Sequence, residues 1–253
     1  MDNTQKFSGK AEVYEKFRPG YPSEVYDFII KQSGLCERSV IADIGAGTGK
    51  FAAHFLKNGY KTVCVEPNAD MKKKMNERFC GFENYTGVNA TAENTGLPSA
   101  SVDCITVAQA FHWFDRSAFA KECRRILKPN GKVFHICNRR DELTDVTKEH
   151  FNINKKYCPR FKGFSGGISS IDCEQFENFF SAGSCKLQIF ENNHLFKTAE
   201  DFAGISLSSS YALRETDEGY GEYVAALKEL FNKYAEENGL TVKNSTVVYT
   251  GEL

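Results

Sequence analysis

The sequence predicts an α/β fold in which helices cover both faces of a doubly wound, mostly parallel sheet. Short apolar runs alternate with stretches of helical spacing as far as residue 138. Strands separated by helices imply right-handed crossovers, which place neighbouring strands parallel to one another. A glycine-rich segment, residues 45–49, directly follows the first of these apolar runs, and this is where open α/β sheets bind their ligands.

The expected elements of the core alternate along the chain. Strands are expected over residues 39–44, 61–66, 84–88, 101–108 and 132–137, and helices over 24–32, 50–57, 68–79 and 115–127. Gly34 and Asn58-Gly59 end two of the helices, and Asn68 is placed to cap a third. A turn over 128–131 precedes the last of these strands.

After Asn138 the pattern becomes richer in helices. Helices are expected over 142–156, 174–182, 199–208 and 217–237, and added strands over 185–196 and 246–249. The segment 159–170 contains three glycines and aromatic residues, which is typical of a loop or lid over a pocket, or else of a plain surface loop. We divide the chain into an N-terminal helical segment (1–34), a core (35–138) and a C-terminal part (139–253) with cap helices and the last strands.

Composition excludes several classes of function. The chain has 32 Lys and Arg against 33 Asp and Glu, a formal charge of −1, so we expect no nucleic-acid partner bound through bulk electrostatics. Uncharged stretches such as 104–114 are too short to cross a membrane, and the polar residues 1–10 predict no signal peptide. The basic clusters, among them Arg139-Arg140, are interpreted as solvated faces because acidic residues surround them.

The nine cysteines predict no disulfide framework. They are scattered singly, their number is odd, and no CxxC occurs. We therefore expect ordinary thiols in a reducing cytoplasm, and no metal site.

The glycine-rich segment and the end of the second strand predict a nucleoside-like ligand. Glycines let the backbone pass close beneath a ligand, but the spacing here is GxGxG, with Lys50 where a dinucleotide-binding loop has its third glycine. Glu66 ends the second strand, where a carboxylate can accept hydrogen bonds from both hydroxyls of a ribose. Its alternative role is that of an exposed residue at a strand end.

These segments together resemble a known family. Residues 43–51, 65–71, 91–103 and 127–131 resemble, in this order, the motifs of class I S-adenosylmethionine-dependent methyltransferases of the small-molecule type 11 branch. The flanking segments 14–22, 108–115 and 208–211 are similar to trans-aconitate methyltransferase-like proteins. The resemblance implies a Rossmann-like, seven-stranded, mostly parallel sheet, an N-terminal segment that closes over the cofactor, and a C-terminal helical substrate cap.

The resemblance also implies a set of cofactor-binding residues. It places Gly45, Gly47 and Gly49 under the methionine part, with Asp43 near its ammonium, and Glu66 on the ribose. It places Pro67 and Met71 on the adenine, with Ala92 and Glu93 at its edge, and Thr91 where many relatives have Asp. The remaining implied contacts are Tyr14, Ala46, Gln109, Ala110 and Phe111. Met71 could instead be helix core, and Glu93 a solvated loop residue.

The acceptor is expected next to the loop after the fourth strand. Methyl transfer requires the acceptor to be held at about 3 Å from the methyl group. His112 could act there as a base, position a ligand, or be purely structural. A carboxylate acceptor, already ionised at neutral pH, needs no base, and Arg18 or Arg214 could grip it in bidentate fashion.

Trp113, Tyr21 and Tyr211 are the expected contacts to the substrate. Tyr14 and Tyr21 could instead attach the N-terminal segment to the core, and Arg18 could hold the cofactor's own carboxylate. The resulting hypothesis is a cytoplasmic enzyme that methylates a small molecule, first of all a carboxylate oxygen. A cofactor-binding regulatory module without turnover and a nicotinamide-dependent oxidoreductase are the alternatives, and the oligomeric state is left open.

Overall fold

The computed structural model describes residues 20–164, 171–176 and 178–253. Tyr14 and Arg18 lie outside the described residues. So do most of the N-terminal segment 1–34 and the second half of the expected lid, 159–170.

A seven-stranded sheet forms the centre of the molecule, as expected. Its strands are β1 (Val40–Ile44), β2 (Lys61–Val65), β3 (Tyr85–Val88), β4 (Val102–Ala108), β5 (Leu127–Arg140), β6 (Lys186–Glu191) and β9 (Asn244–Gly251), and their order is β3-β2-β1-β4-β5-β9-β6. The first five pair in parallel, whereas β9 runs antiparallel to both of its neighbours. The expectation of a doubly wound, mostly parallel Rossmann-like sheet is confirmed.

Helices cover both faces of this sheet because each strand alternates its side chains between the faces. The helices are α1 (Ser23–Ser33), α2 (Ala52–Lys57), α3 (Ala69–Arg78), α4 (Arg116–Ile126), α5 (Asp145–Tyr157), α6 (Ala199–Leu207) and α7 (Tyr220–Tyr234). Ile41 of β1 packs with Val25 and Ile29 of α1. Its neighbour Ala42 lies on the other face, in the cluster that contains Phe119 of α4.

The last three helices share a hydrophobic cluster of their own, which we call the cap cluster. Val146 of α5, Phe202 of α6 and Leu227 of α7 belong to it. A small antiparallel sheet of β7 (His194–Phe196) and β8 (Leu240–Val242) contributes Phe196 and Leu240. The segment 141–243 begins and ends at one rung of the large sheet, because the last residue of β5 pairs with the first residue of β9. This segment contributes β6 to the edge of that sheet.

Several expected boundaries are wrong. The helix expected over 174–182 is a single 3-10 turn, Glu174–Phe176, followed by turns within the described residues, because its aromatic side chains are drawn into the core. The strand expected over 185–196 is two strands in two sheets. The turn over 128–131 lies inside β5, where Asn130 has a positive φ of 66° and the pairing with β4 shifts register.

None of the helices in the described part of the chain combines the length and hydropathy that crossing a bilayer takes.

Candidate active site

The glycine turn connects β1 to α2 at the carboxyl end of the sheet. Gly45, Gly47 and Gly49 have φ values of 69°, 59° and 76°, a region that other residues enter only at a cost. The amides of Gly45 and Ala46 both donate to the carbonyl of Val65, at 2.8 and 3.1 Å. The turn is therefore fixed against the end of β2.

Two of these glycines are also required by close packing. A Cβ at Gly45 would stand 2.6 Å from Ala110 Cβ and 3.1 Å from the ring of Phe114. A Cβ at Gly49 would collide with the ring of Phe79. The glycine turn thus lies directly against the loop that follows β4, so that the two expected ligand sites adjoin.

Glu66 lies where the glycine turn meets the end of β2. Its side chain is buried, at 8% exposure, so its alternative role as an exposed strand-end residue is wrong. Oε2 accepts a hydrogen bond of 2.8 Å from the amide of Gly47, and Oε1 accepts one of 2.8 Å from the amide of Asn68. Burial raises the pKa of Glu66, and these two amides act against that rise. Each oxygen retains a further acceptor site, so a ribose would meet an oriented carboxylate.

Asp43 is the second buried carboxylate of the site, at 1% exposure. Its Oδ1 accepts a hydrogen bond of 2.8 Å from Thr106 Oγ1. Its Oδ2 has no hydrogen-bond partner among the described residues. Burial raises the pKa of Asp43 to about 7; the hydroxyl of Thr106 and the backbone amide of Ala52 oppose the rise, and the charge of Glu66 adds to it. A buried oxygen without a donor is costly, and a cationic donor such as an ammonium would satisfy it.

The expected adenine side is built from α3 and the segment after β3. Asn68 caps α3 by accepting from the amide of Met71 at 3.1 Å, and Met71 is buried. Glu93 is half-buried and accepts a hydrogen bond of 2.9 Å from the amide of Asp115, so it is not a free solvated residue. Ala92 is buried, whereas Thr91 is exposed.

The loop after β4 begins with a strained residue. Gln109 has a positive φ of 59°, and its amide donates to the carbonyl of Ile136 at 2.8 Å. Ala110 is buried, and the ring of Phe111 lies 5.0 Å from that of Phe176 and 4.9 Å from that of Phe179. The side chain of Phe111 therefore belongs to the core.

His112 and Trp113 stand at the open end of this loop. Their ring centroids are 4.4 Å apart, and His112 is exposed while Trp113 is half-buried. The loop turns His112 outward. Its roles as a base, as a positioning group or as a purely structural residue all stay predictions.

The other expected substrate contacts are spread over the molecule. Tyr21 is half-buried with its ring edge on Phe51 at 4.9 Å, and Tyr211 packs edge-on against Phe161 at 4.8 Å in the cap. Arg214 is exposed, and its amide donates to Asp217 at 2.8 Å.

The interpretation of Arg139-Arg140 as a solvated face is wrong. Arg139 is buried and Arg140 half-buried, because β5 continues through both residues and the cap packs against its end. The apolar run of β5 ends at Cys137, before both arginines, so its pattern does not indicate the longer strand. The contact between Arg140 Nη1 and His150 Nδ1, at 2.5 Å, could not have been read from the sequence, because it depends on how the cap folds.

Within the described residues, no group of three or more His, Cys, Asp or Glu side chains is arranged to hold a metal ion.

Comparisons with known proteins agree with this architecture. Residues 42–135 match the family model described as a methyltransferase domain. A Mycobacterium tuberculosis protein, named an uncharacterised methyltransferase, is 33% identical over 148 residues, which are 58% of this chain and 58% of that protein. The chain thus spans little more than half the length of the curated relatives that it matches.

Two solved structures share the fold. The structure of an Anaeromyxobacter dehalogenans protein, described as a type II methyltransferase, has a TM-score of 0.64 at 21% identity and covers 93% of this chain and 97% of its own. Phosphoethanolamine N-methyltransferase 2 of Haemonchus contortus was solved in complex with S-adenosyl-L-methionine. It has a TM-score of 0.55 at 17% identity, and the match covers 99% of this chain and 58% of that protein's chain.

The fold is therefore that of the class I methyltransferases, and residues 42–135 match the family model of a methyltransferase domain. The resemblance of the motifs to this class is confirmed. The narrower resemblance to trans-aconitate methyltransferase-like proteins stays a prediction.

Proposed function

We propose that this chain is an enzyme that transfers a methyl group from S-adenosyl-L-methionine to a small-molecule acceptor and releases S-adenosyl-L-homocysteine. The observation that carries the proposal is the unpartnered Oδ2 of Asp43 within the described residues, buried beside a glycine turn that Glu66 holds in place. The methyltransferase domain and the class I fold support the same activity.

The residues present fit the cofactor. Asp43 offers an acceptor to the ammonium of the methionine part, and Glu66 offers two oriented oxygens to the ribose hydroxyls. Met71 and Pro67 supply apolar surface for the adenine. When bound, the cofactor supplies a methyl group on a positively charged sulfur atom. The chain has to orient that group and exclude water around the acceptor.

The acceptor in this proposal is an acid that presents an oxygen to the methyl group. A carboxylate is ionised at neutral pH and needs no base, so His112 serves to position the acceptor beside Trp113. In this proposal the core 35–138 binds the cofactor, and the cap helices α5 to α7 lie on the acceptor side. The balanced charge of the chain argues against a nucleic-acid substrate.

The compartment follows from the thiols. Cys64, Cys104 and Cys123 are buried free thiols, which persist where the environment is reducing. We therefore place the activity in the cytoplasm.

Calorimetric titration with S-adenosyl-L-homocysteine tests the cofactor assignment. We expect Glu66→Ala to weaken binding by about 10- to 100-fold, because a buried charged acceptor is lost. Glu83→Ala removes an exposed carboxylate outside the site and should leave binding unchanged. Failure of the folded protein to bind S-adenosyl-L-homocysteine, or binding of NADH in its place, would contradict the proposal. Binding without turnover on any acid, amine or phenol would favour the regulatory alternative.

A further inference from the structure

The strand β6 forms one edge of the large sheet. Among the described residues it pairs with β9 and with no other strand. The amide of Asn192, directly after β6, donates to the carbonyl of Asn244 at 3.0 Å. Alternate residues of an antiparallel strand direct their backbone groups to the same neighbour, so the even-numbered residues of β6 bond to β9. The N–H and C=O groups of Leu187, Ile189 and Glu191 therefore point outward from the sheet.

Two of these outward residues also carry exposed aliphatic side chains. Leu187 and Ile189 are 36% and 47% exposed. They pair with Tyr249 and Val247 of β9, and directly paired residues lie on the same face of a sheet. Tyr249 and Val247 are fully buried, so the burial of this face ends at β6. An edge strand with exposed apolar side chains is a template for pairing with another strand.

The opposite face of β6 is packed against the molecule. The ring of Phe190 lies edge-on to that of Phe28 of α1, with the centroids 5.7 Å apart. On the outer edge, the carbonyl of Ile189 accepts a hydrogen bond of 3.3 Å from Nε2 of Gln188. A carbonyl oxygen has two acceptor sites, so this oxygen retains one for an incoming N–H. The strand is thus held from one face while its outer edge stays open to a further strand.

The charges of β6 are complementary to those of a second copy of the same strand. The strand begins with Lys186 and ends with Glu191. Antiparallel pairing of two copies brings the cationic end of each strand to the anionic end of the other, whereas parallel pairing would bring like charges together. A two-fold axis perpendicular to the sheet generates the antiparallel arrangement.

The aliphatic side chains select the register of this pairing. Under that symmetry the outward-pointing residues of one copy must lie opposite outward-pointing residues of the other. When Leu187 of each copy lies opposite Ile189 of the other, both side chains gain an aliphatic partner on the face where each is exposed. The axis then passes between the two copies of Gln188, which form a pair without backbone hydrogen bonds.

We propose that this chain forms a two-fold symmetric homodimer in which the β6 strands of two copies pair in this register. The two seven-stranded sheets then join into one continuous sheet. One short strand from each copy makes the contact, so the dimer is reversible, with a Kd of about 10–100 µM. Because the axis reverses the strand direction, the two glycine turns open at opposite ends of the joined sheet.

Sedimentation velocity of the full chain over a concentration series tests the dimer. We expect a reversible monomer–dimer equilibrium. The variant Ile189→Lys should raise the Kd by about 10-fold or more, because it sets a charge against Leu187 of the second copy. The matched control is Leu195→Lys, since Leu195 is 46% exposed on β7 of the small sheet, and this exchange should leave the Kd unchanged.

Cross-linking tests the register. Directly opposed residues of a pair without backbone hydrogen bonds have Cα atoms about 4.5 Å apart, which suits a disulfide. Gln188→Cys should therefore give a disulfide-linked dimer under mild oxidation with copper phenanthroline, with two copies of the β6 peptide joined as shown by mass spectrometry. Lys186→Cys is the control, because its two copies would lie four residues apart along the paired strands, about 13 Å.

The inference is overturned by a monomer at all concentrations, by a dimer that Ile189→Lys does not weaken, or by a disulfide that forms at position 186 as readily as at 188. Should Ile189→Lys fail to fold, the comparison of Gln188→Cys with Lys186→Cys decides alone. The inference does not depend on the proposed function, which is tested by binding of S-adenosyl-L-homocysteine. That binding should be equal in Ile189→Lys and in the unsubstituted chain, so the two conclusions fail separately.

Discussion

The cofactor end of the sheet and the cap hold their polar side chains in different ways. At the ends of β1 and β2, carboxylates are fixed largely by the backbone, as the amides of Gly47 and Asn68 on Glu66 illustrate. In the cap, polar side chains from segments that are far apart in the sequence hydrogen-bond to one another, as Ser206 and His150 do. The first region holds two buried carboxylates, Asp43 and Glu66, whereas the second joins hydroxyl, imidazole and amide side chains to one another.

Of the tests of this contrast, a substitution in the glycine turn has the largest expected effect. Gly45→Ala combines a strained φ of 69° with a Cβ 2.6 Å from that of Ala110, and we expect it to lower the free energy of unfolding by about 2–4 kcal/mol. Gly34→Ala has a similar φ of 60° with nothing within 4 Å of the new Cβ, so its cost should be only about 1–2 kcal/mol. Urea denaturation of both variants measures the difference. Equal losses of unfolding free energy in the two variants would mean that the contact between the glycine turn and the loop after β4 does not contribute to stability.

The next largest effect is expected from the titration of Asp43, in the pH dependence of stability and of binding. Because burial raises its folded pKa to about 7 from 3.8, this group contributes stability that falls as pH rises between these values and is constant above them. An ammonium ligand requires the ionised form, so affinity for S-adenosyl-L-homocysteine should rise with pH through about 7.

The variant Asp43→Asn isolates this group. It should abolish the Asp43 contribution to both pH dependences and weaken binding by about 10-fold or more, because the ammonium then meets a neutral amide in place of a carboxylate. Calorimetry at a series of pH values measures this. An unchanged pH profile in Asp43→Asn would show that another group controls binding.

The cap provides the smallest effect. Tyr223, fully buried on α7, donates to Asn154 Oδ1 at 2.7 Å. Tyr223→Phe should cost about 1–3 kcal/mol of unfolding free energy, since it leaves a buried acceptor without its donor. Tyr234→Phe removes a bond to the half-buried Glu149 and should cost less than about 1 kcal/mol. Thermal unfolding ranks the two, and a reversed order would contradict the view that the cap is held by its buried polar pairs.

The contrast also explains what could be predicted from the sequence. The core elements and the glycine turn followed from local signals, such as the short apolar run of β1 and the cap residue Asn68. Glu66 could be placed because a strand end and a glycine turn are separated by one short helix. These relations span few residues, so spacing alone determines them.

The cap could not be predicted in the same way. Arg139-Arg140 read as a solvated pair because nothing nearby in sequence indicates that α5 and α6 cover the end of β5. The helix expected over 174–182 failed because Phe176, Phe179 and Phe180 gain more from entering the core than from helical spacing. Contacts between distant segments override local preference in both cases.

The pairing of Arg140 with Asn244 has an evolutionary consequence. The segment 141–243 starts and finishes at one rung of the ladder, where the amide of Asp141 also donates to the carbonyl of Lys243 at 3.0 Å. Two parts of this excursion are tied to the large sheet, namely β6 at its edge and the core residues Phe176, Phe179 and Phe180. The remainder can vary in length and sequence without displacing the strand ends that bear Asp43 and Glu66.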